Sequence, residues 1–440
     1  MNSPAQATVA LPPDPVLPRR DDLLDDGIVG ARLDELLDRA RDGRTGDCSR
    51  VRAKYRMGES LRATFRLGRG PGGSLVSARM FPATSAVGEF RRAREDAVGQ
   101  GADPRSVLFD QVTSTVFWIF PQDRKLLGLG RLTSPPPELR SVFGTPWTQS
   151  ELKAYKPERA ATVRCEDAYG ATIGYAKLQC GDAGRRSVSL LRGARRGITE
   201  HGVLRLPETI GYLPEDHLAL FSPAPGRPLN QLPWAAYPDA MAALGAALSV
   251  LHAQPTDGFA PFTRLDPDRL VAAGSLVRVA RPDLASVTDG LVGVLTRTAP
   301  TPGPNVLLHG DLHPKNVLVH DDGVSLVDFD EASVGPAAAE LGGVLARLWC
   351  PRPRDTIDTD TAQAAAEALL AAYDRRPSRA DLLWYAAAAL LVERAVRAIS
   401  RVDVAAIGDL ERVLVTALRW AGPRGAHGRS EACRRAGMGR

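Results

Sequence analysis

Lysine is almost missing from this chain. Of 56 basic residues only six are lysines (Lys54, Lys125, Lys153, Lys156, Lys177 and Lys315), and the rest are arginines. Arginine is a planar fork and lysine a compact point charge, so a lysine kept against this bias marks a place where the fork would not serve. Cysteine is scarce as well. Cys48, Cys165, Cys180, Cys350 and Cys433 are odd in number and scattered, with no CxxC pair. That excludes a disulfide frame and a cysteine zinc site, and it predicts free thiols in a reducing compartment. Aromatic residues make up only 6%. No dense basic stripe with interleaved aromatics occurs, so the net charge of +5 does not by itself point to nucleic acid. No basic-then-apolar leader opens the chain. The longest apolar run, Leu382 to Val392, is 11 residues and too short to span a bilayer. A cytoplasmic protein with neither a membrane nor a nucleic-acid partner is the expectation.

What is present is an ordinary globular composition, 44% hydrophobic and 24% charged over 440 residues, enough for two or three domains. Residues 1–20 are rich in Pro and Ala and read as disordered, and 21–41 have helical apolar spacing. Strands are predicted at 52–56, 61–67 and 75–81, then a helix at 84–99. A similar unit returns about 100 residues later, with strands at 151–156, 161–166 and 173–179. Tyr55-Arg56 matches Tyr155-Lys156, and Arg79 matches Lys177 late in each third strand. Either the unit is duplicated, or two meanders look alike because the chain is arginine-rich. Residues 131–150, with Pro135-Pro136-Pro137, read as a linker or long loop. Helices dominate after residue 229, at 241–252, 336–349, 360–374, 379–400 and 404–420. Strands first and helices later predict an α+β protein with segregated layers. The divisions are 1–50, a disordered start and helix; 51–150, a cap-like subdomain; 151–225, a β-rich lobe; 226–420, a helical lobe; and 421–440, a disordered tail.

The chemistry concentrates in residues 305–343, NVLLHGDLHPKNVLVHDDGVSLVDFDEASVGPAAAELGG. An Asp-Gly turn between two β-branched runs predicts a hairpin. Its closure brings Asp311, Asn316 and Asp328 to one end. Asn and Asp oxygens are hard ligands suited to Mg²⁺, and a further carboxylate can take the proton of an attacking hydroxyl. Those are the parts that phosphoryl transfer needs.

HGDLHPKN followed by VDFD resembles the signature of the aminoglycoside phosphotransferase and choline kinase superfamily, which has the protein-kinase-like fold of a small β-rich lobe and a larger helical one. The resemblance implies an ATP-dependent kinase acting on a small-molecule hydroxyl, with Asp311 as catalytic base and Asn316 and Asp328 as Mg²⁺ ligands. Asn316 also counts toward the nucleotide site. It further implies a nucleotide-binding lysine on the third strand of the β-rich lobe, for which Lys177 is the candidate, and a hinge at 217–221 ending in Phe221, where backbone groups would bind adenine. His309, Asp330 and Glu340 are read as supporting residues. Glu340 stands where the family has Asp, and no glutamate partner for Lys177 lies on the helix at 185–196; Glu200 is nearby but late. Lys315 either reaches a phosphate or points to water, and His252 is read as structural. The likeness covers roughly 151–420. The added N-terminal portion resembles the capped maltokinase and glucosamine kinase type, which makes a sugar or amino sugar the first expectation for the acceptor. An antibiotic phosphotransferase or a non-catalytic kinase-like nucleotide-binding module are the alternatives.

Overall fold

The computed structural model describes residues 11–37, 47–70, 72–198, 202–301, 303–349 and 358–422. Helix α1 (Asp26–Leu36) precedes strands β1 (Cys48–Arg56), β2 (Ser60–Leu67) and β3 (Ser74–Met80), helix α2 (Ala83–Gly99), and strands β4 (Val107–Asp110) and β5 (Thr115–Ile119). Short helices α3 (Leu129–Thr133) and α4 (Pro137–Arg140) lead to β6 (Gln149–Lys156), β7 (Ala160–Glu166), β8 (Thr172–Gln179), helix α5 (Ala183–Ala194), β9 (Leu204–Arg205), β10 (Thr209–Leu213) and β11 (Leu218–Phe221). The remainder is largely helical: β12 (Arg227–Pro228), α6 (Tyr237–His252), α7 (Pro267–Ala280) and α8 (Ala285–Arg297) come first. Then follow β13 (Asn305–Leu308), β14 (Val317–His320), β15 (Gly323–Leu326), β16 (Ser333–Pro336), α9 (Ala337–Trp349), α10 (Thr359–Ala371) and α11 (Arg379–Ala389). A π-helical turn (Leu390–Ala395) joins α11 to α12 (Val396–Arg401), and α13 (Val404–Gly408) and α14 (Leu410–Ala421) close the chain. The expected α+β order, strands first and helices later, is what the structure has.

The duplication is real. The first sheet runs β1-β2-β3-β5-β4 and the second β6-β7-β8-β11-β10. Each is a three-stranded meander, then a helix, then two more strands inserted in reverse order. Tyr55 pairs with Leu61 and Leu61 with Met80; Tyr155 pairs with Ala161 and Ala161 with Leu178. That register makes Arg79 of the first sheet the counterpart of Lys177 in the second. Smaller details repeat too. Tyr55 Oη donates to Asp14 at 2.6 Å, and Asp14 also accepts from the amides of Gly58, Val16 and Leu17. Tyr155 Oη donates to Asp123 at 2.7 Å, and Asp123 accepts from the amides of Glu158, Lys125 and Leu126. Gly58 and Glu158, the matching turn residues, both take positive φ, 70° and 62°. Coding bias does not reproduce hydrogen bonds, so the look-alike explanation falls.

Three expectations need correction. Residues 11–20 are packed, not disordered: Leu11, Leu17, Asp14 and Arg20 are buried, because the Asp14 turn anchors the segment to Tyr55. Residues 1–10 and 423–440 lie outside the described residues, as does Glu200. Residues 131–150 are not a loose linker. Leu132, Leu139 and Trp147 are buried against the second sheet with Ala161, Val163 and Leu178. Burying one large aromatic removes about 200 Å² of apolar surface from water, worth on the order of 5 kcal/mol, which outweighs the local preference of Pro and Gly for loops. Strands β4 and β5 add to the expected meander and complete the first sheet.

One core joins the first sheet to α7, α8, α11 and α14. A second lies around α6, α9, α10 and the β14–β15 hairpin. Trp234–His252 is long and apolar enough for a membrane span by length and composition. Its apolar content is used in that second core, where Met241, Leu244, Leu248 and Leu251 are buried.

Candidate active site

Strand β13 ends at Leu308 and the chain turns at Gly310, where φ is +80°. A Cβ there would lie 1.9 Å from the Glu331 carbonyl oxygen. Only glycine takes this conformation cheaply, and the clash adds to the backbone cost. Gly310→Ala is expected to lower Tm and abolish turnover, read by thermal unfolding beside an activity assay.

The expected hairpin is present. Asn316 and Val327 close it through Val327 N–H to Asn316 O at 3.1 Å, and Asp321-Asp322 form its tip. His309 is fully buried and bonds through Nε2 to Val327 O at 2.9 Å. Asn316 is buried, and its Nδ2 donates to Asp311 O at 3.1 Å. The amide nitrogen is thereby used within the loop, and the amide oxygen is the atom left for a ligand. Asp328 sits in the left-handed region at φ 69°. Asp tolerates that region better than most residues, and such strain clusters where a side chain must be aimed.

Two carboxylates at this end, Asp328 and Asp330, meet Lys177. Its Nζ donates to Asp328 Oδ1 at 2.5 Å and Asp330 Oδ2 at 2.7 Å. Burial alone would lower the lysine pKa, but the two carboxylates more than offset it and raise it. Burial likewise opposes ionisation of Asp328, yet Lys177 and Lys156, the latter 3.9 Å away, hold that carboxylate far below its ordinary range. Gln179 Nε2 donates to Asp330 at 3.0 Å, and Ser187 of α5 donates to the other oxygen of Asp330. The absent helix glutamate thus has a substitute: α5 offers Ser187, and the charge comes from the Asp328 and Asp330 segment. Gln179 and Ser187 are missing from the sequence-derived set. Gln179 was within reach of it, since Tyr175, Lys177 and Gln179 alternate along one strand face.

Asp311 is half-buried. Arg264 Nη1 lies 3.9 Å from one of its oxygens and His313 Nε2 3.8 Å from the other. Burial raises its pKa, but His313, Arg264 and Arg347 bring it below the ordinary value. Burial pushes His313 down to about 4, so its ring is neutral at physiological pH. Arg264 and Arg347 share Glu393, at 3.5 and 2.6 Å. Glu393 sits on the π-helical turn, a distortion common at functional sites.

Glu340, on α9, is buried beneath the loop. It accepts from His309 N–H at 3.1 Å, from Gly310 N–H at 2.9 Å, and bonds His252 Nε2 at 3.0 Å. His252 in turn bonds the Tyr373 hydroxyl at 2.7 Å. The glutamate in place of the usual aspartate does tie the loop to the helices behind it, and His252 is structural as expected. Lys315 is exposed. Phe221 ends β11, half-buried, opposite Tyr175 and Thr209. The strand leads through Gly226 to β12, which pairs with the hairpin at β14. Phe221 therefore stands where the second sheet passes into the helical half.

Residues 193–383 match the sequence model of the phosphotransferase enzyme family. The match includes Asp311, Asn316, Asp328 and Glu340, and begins after Lys177. Over that stretch, which is under half of its length, the chain is similar to that family. A capped maltokinase or glucosamine kinase subtype has no support. No curated protein matches the chain. Among solved structures, the chain is similar to a choline/ethanolamine kinase family protein from Mesorhizobium loti (14% identity, 66% of this chain and 97% of that one, TM-score 0.45). It is similar to the macrolide 2'-phosphotransferase MphH from Brachybacterium faecium (17% identity, 66% and 97%, TM-score 0.43). It is also similar to a putative fructosamine-3-kinase from Thermobifida fusca (19% identity, 65% and 99%, TM-score 0.43).

Three unpaired thiols, Cys48, Cys165 and Cys180, occur among the described residues, and no cluster of three His, Cys, Asp or Glu side chains could hold a metal there. A divalent cation fits the donor set at the hairpin end in chemistry: one ionised carboxylate, Asp328, and one amide oxygen, Asn316. Mg²⁺ takes one or two such protein ligands and completes its shell with water and phosphate oxygens.

Proposed function

We propose that the protein transfers the γ-phosphoryl group of ATP to a hydroxyl of a small sugar-like metabolite in the cytoplasm, with Mg²⁺ as the metal. The observation that carries this reading is the meeting of Lys177, Asp328 and Asp330 beside a loop that offers Asp311. The acceptor oxygen attacks the γ-phosphorus while the bond to the β,γ-bridging oxygen breaks. ADP leaves with that electron pair, and the hydroxyl proton goes to Asp311. Asn316 and Asp328 would hold Mg²⁺, which neutralises charge on the phosphates. Lys177 is kept charged by its carboxylates and is placed to receive phosphate oxygens once Asp328 turns to the cation. The positioning and charge neutralisation are what this reaction requires of a protein. Free thiols support the cytoplasmic placement.

The test is ADP formation with and without Mg²⁺ across sugars, sugar phosphates, amino sugars, aminoglycosides and choline-like alcohols, in the wild type and in Lys177→Met. The reading expects magnesium-dependent turnover stimulated by an acceptor and a weakened nucleotide interaction in the variant. A wild type that binds no Mg-ATP would instead make it a non-catalytic module.

A further inference from the structure

The first sheet copies the second, but the face that carries Lys177 in the second carries a row of basic residues in the first. Lys54, Arg62 and Arg79 stand directly opposite one another on β1, β2 and β3. Like charges placed opposite on neighbouring strands repel. Glu158, from the β6–β7 turn, answers Arg62 at 3.4 Å and Arg79 at 2.5 Å, and it serves Arg124 at 3.5 Å as well. Arg124 has a closer carboxylate in Glu89, at 2.9 Å, so Glu158 is left mainly to Arg62 and Arg79. Arg52, next in line on β1, and Arg159, in the β6–β7 turn, have no carboxylate partner among the described residues. Lys54 finds only the neutral Ser400 hydroxyl of α12, at 3.4 Å.

This excess charge is not spread over open surface. Arg52 and Lys54 are half-buried where β1 packs on α12. Burial, then Arg397, Arg159 and Arg62, push the Arg52 pKa down, and burial with Arg56, Arg401 and Arg52 does the same to Lys54. Desolvated cations that repel one another cost stability unless an anion joins them. The wall also borders the reacting centre. Arg159 belongs to the turn after Lys156, which lies 3.9 Å from Asp328.

We infer that the acceptor carries an oxyanion group, a phosphate ester or a carboxylate, and that Arg52, Lys54 and Arg159 bind it while Asp311 faces its hydroxyl. This rests on the kinase reading and names its substrate class. It separates the protein from kinases of polycations, because a cationic acceptor would meet this wall with like charge. It also gives the duplicated sheet a role: the copy that lacks the lysine has become one side of the acceptor cleft. Arginine suits that role, since its fork matches carboxylate and phosphate oxygens in pairs.

Calorimetric titration tests it on the full chain, with and without saturating Mg-AMPPNP. The ligands are glucose 6-phosphate, 3-phosphoglycerate, gluconate and pyrophosphate, with glucose and kanamycin as neutral and cationic controls. The oxyanion ligands are expected to bind at least tenfold tighter than the controls. Arg52→Gln combined with Lys54→Gln is expected to weaken them at least tenfold while the affinity for Mg-AMPPNP stays within twofold. The phosphate esters against gluconate tell which oxyanion the wall prefers. Equal binding of anions and controls, or unchanged anion binding in a variant that melts as the wild type does, overturns the inference. Loss of Mg-AMPPNP binding in the wild type overturns the kinase reading instead, and the nucleotide-free titration still reads the wall. If the double variant unfolds, Arg159→Gln, on an exposed turn residue, carries the same expectation at about threefold.

Discussion

Asp311→Asn is expected to lower kcat by roughly 10²–10⁴-fold, the usual contribution of a positioned general base, while the dissociation constant for Mg-ATP changes little. The substitution keeps shape and hydrogen bonding and removes only the charge that takes the proton. Arg264 and His313 flank the carboxylate at 3.9 and 3.8 Å, so the variant removes an anion from a place that two nitrogens already face. The sign of the pH dependence follows. The proposed mechanism requires Asp311 ionised, and its pKa lies below the ordinary 3.8. Its titration therefore cuts kcat/KM only below that pH, and neutral solution leaves it charged. His313, down at about 4, is neutral in neutral solution and supplies no competing proton there. Steady-state kinetics of the variant with a turned-over acceptor decide the matter. A kcat within threefold of the wild type would remove Asp311 from the chemistry and leave it a substrate-orienting group.

The hairpin at 316–328 was legible because its turn is local. Asp311, Asn316 and Asp328 fall within 18 residues, and the Asp-Gly turn dictates how the chain folds back to gather them. The three strands of each meander were legible for the same reason, through alternation and turn residues. What escaped is what tertiary structure supplies. The partners of Lys177 come from more than 140 residues away, so no local pattern announces them. Trp147 reads as part of a Pro/Gly loop until the second sheet covers it. Arg264, Arg347 and Glu393 sit on three separate segments and meet only in the folded chain. The duplication was half visible. Tyr55 and Tyr155 stand 100 residues apart, but their partners, Asp14 and Asp123, precede them by different distances. Such a repeat survives in hydrogen bonds after it has faded from the letters.

Glu340→Ala tests how the site is held. This carboxylate is buried, and it satisfies two backbone amides of the catalytic loop and the His252 ring. Deleting it leaves two amides without an acceptor and an imidazole without its partner, in a region water does not reach. Each buried donor left without its acceptor costs about 1–3 kcal/mol, and three of them lose theirs together. A marked fall in Tm is expected, with kcat depressed because His309 and Gly310 set the path of the chain into Asp311. The pH response has a definite sign. Burial raises the Glu340 pKa, but the bonds from His252 and the loop amides bring it below the ordinary 4.5. A carboxylate whose pKa is lower folded than unfolded stabilises above the unfolded value, and that contribution fades as pH falls through the folded one. The wild-type advantage over Glu340→Ala is therefore full at pH 7 and shrinks below about pH 4.5. Glu340→Gln separates support from mere volume. It keeps one oxygen acceptor and loses the other, so it should fall between the two proteins in Tm and in kcat. If Glu340→Gln matched the alanine variant in both, the carboxylate charge rather than its two amide bonds would be what holds the loop. If it matched the wild type, hydrogen bonding alone would suffice, and the departure from the family's aspartate would be a change of reach only.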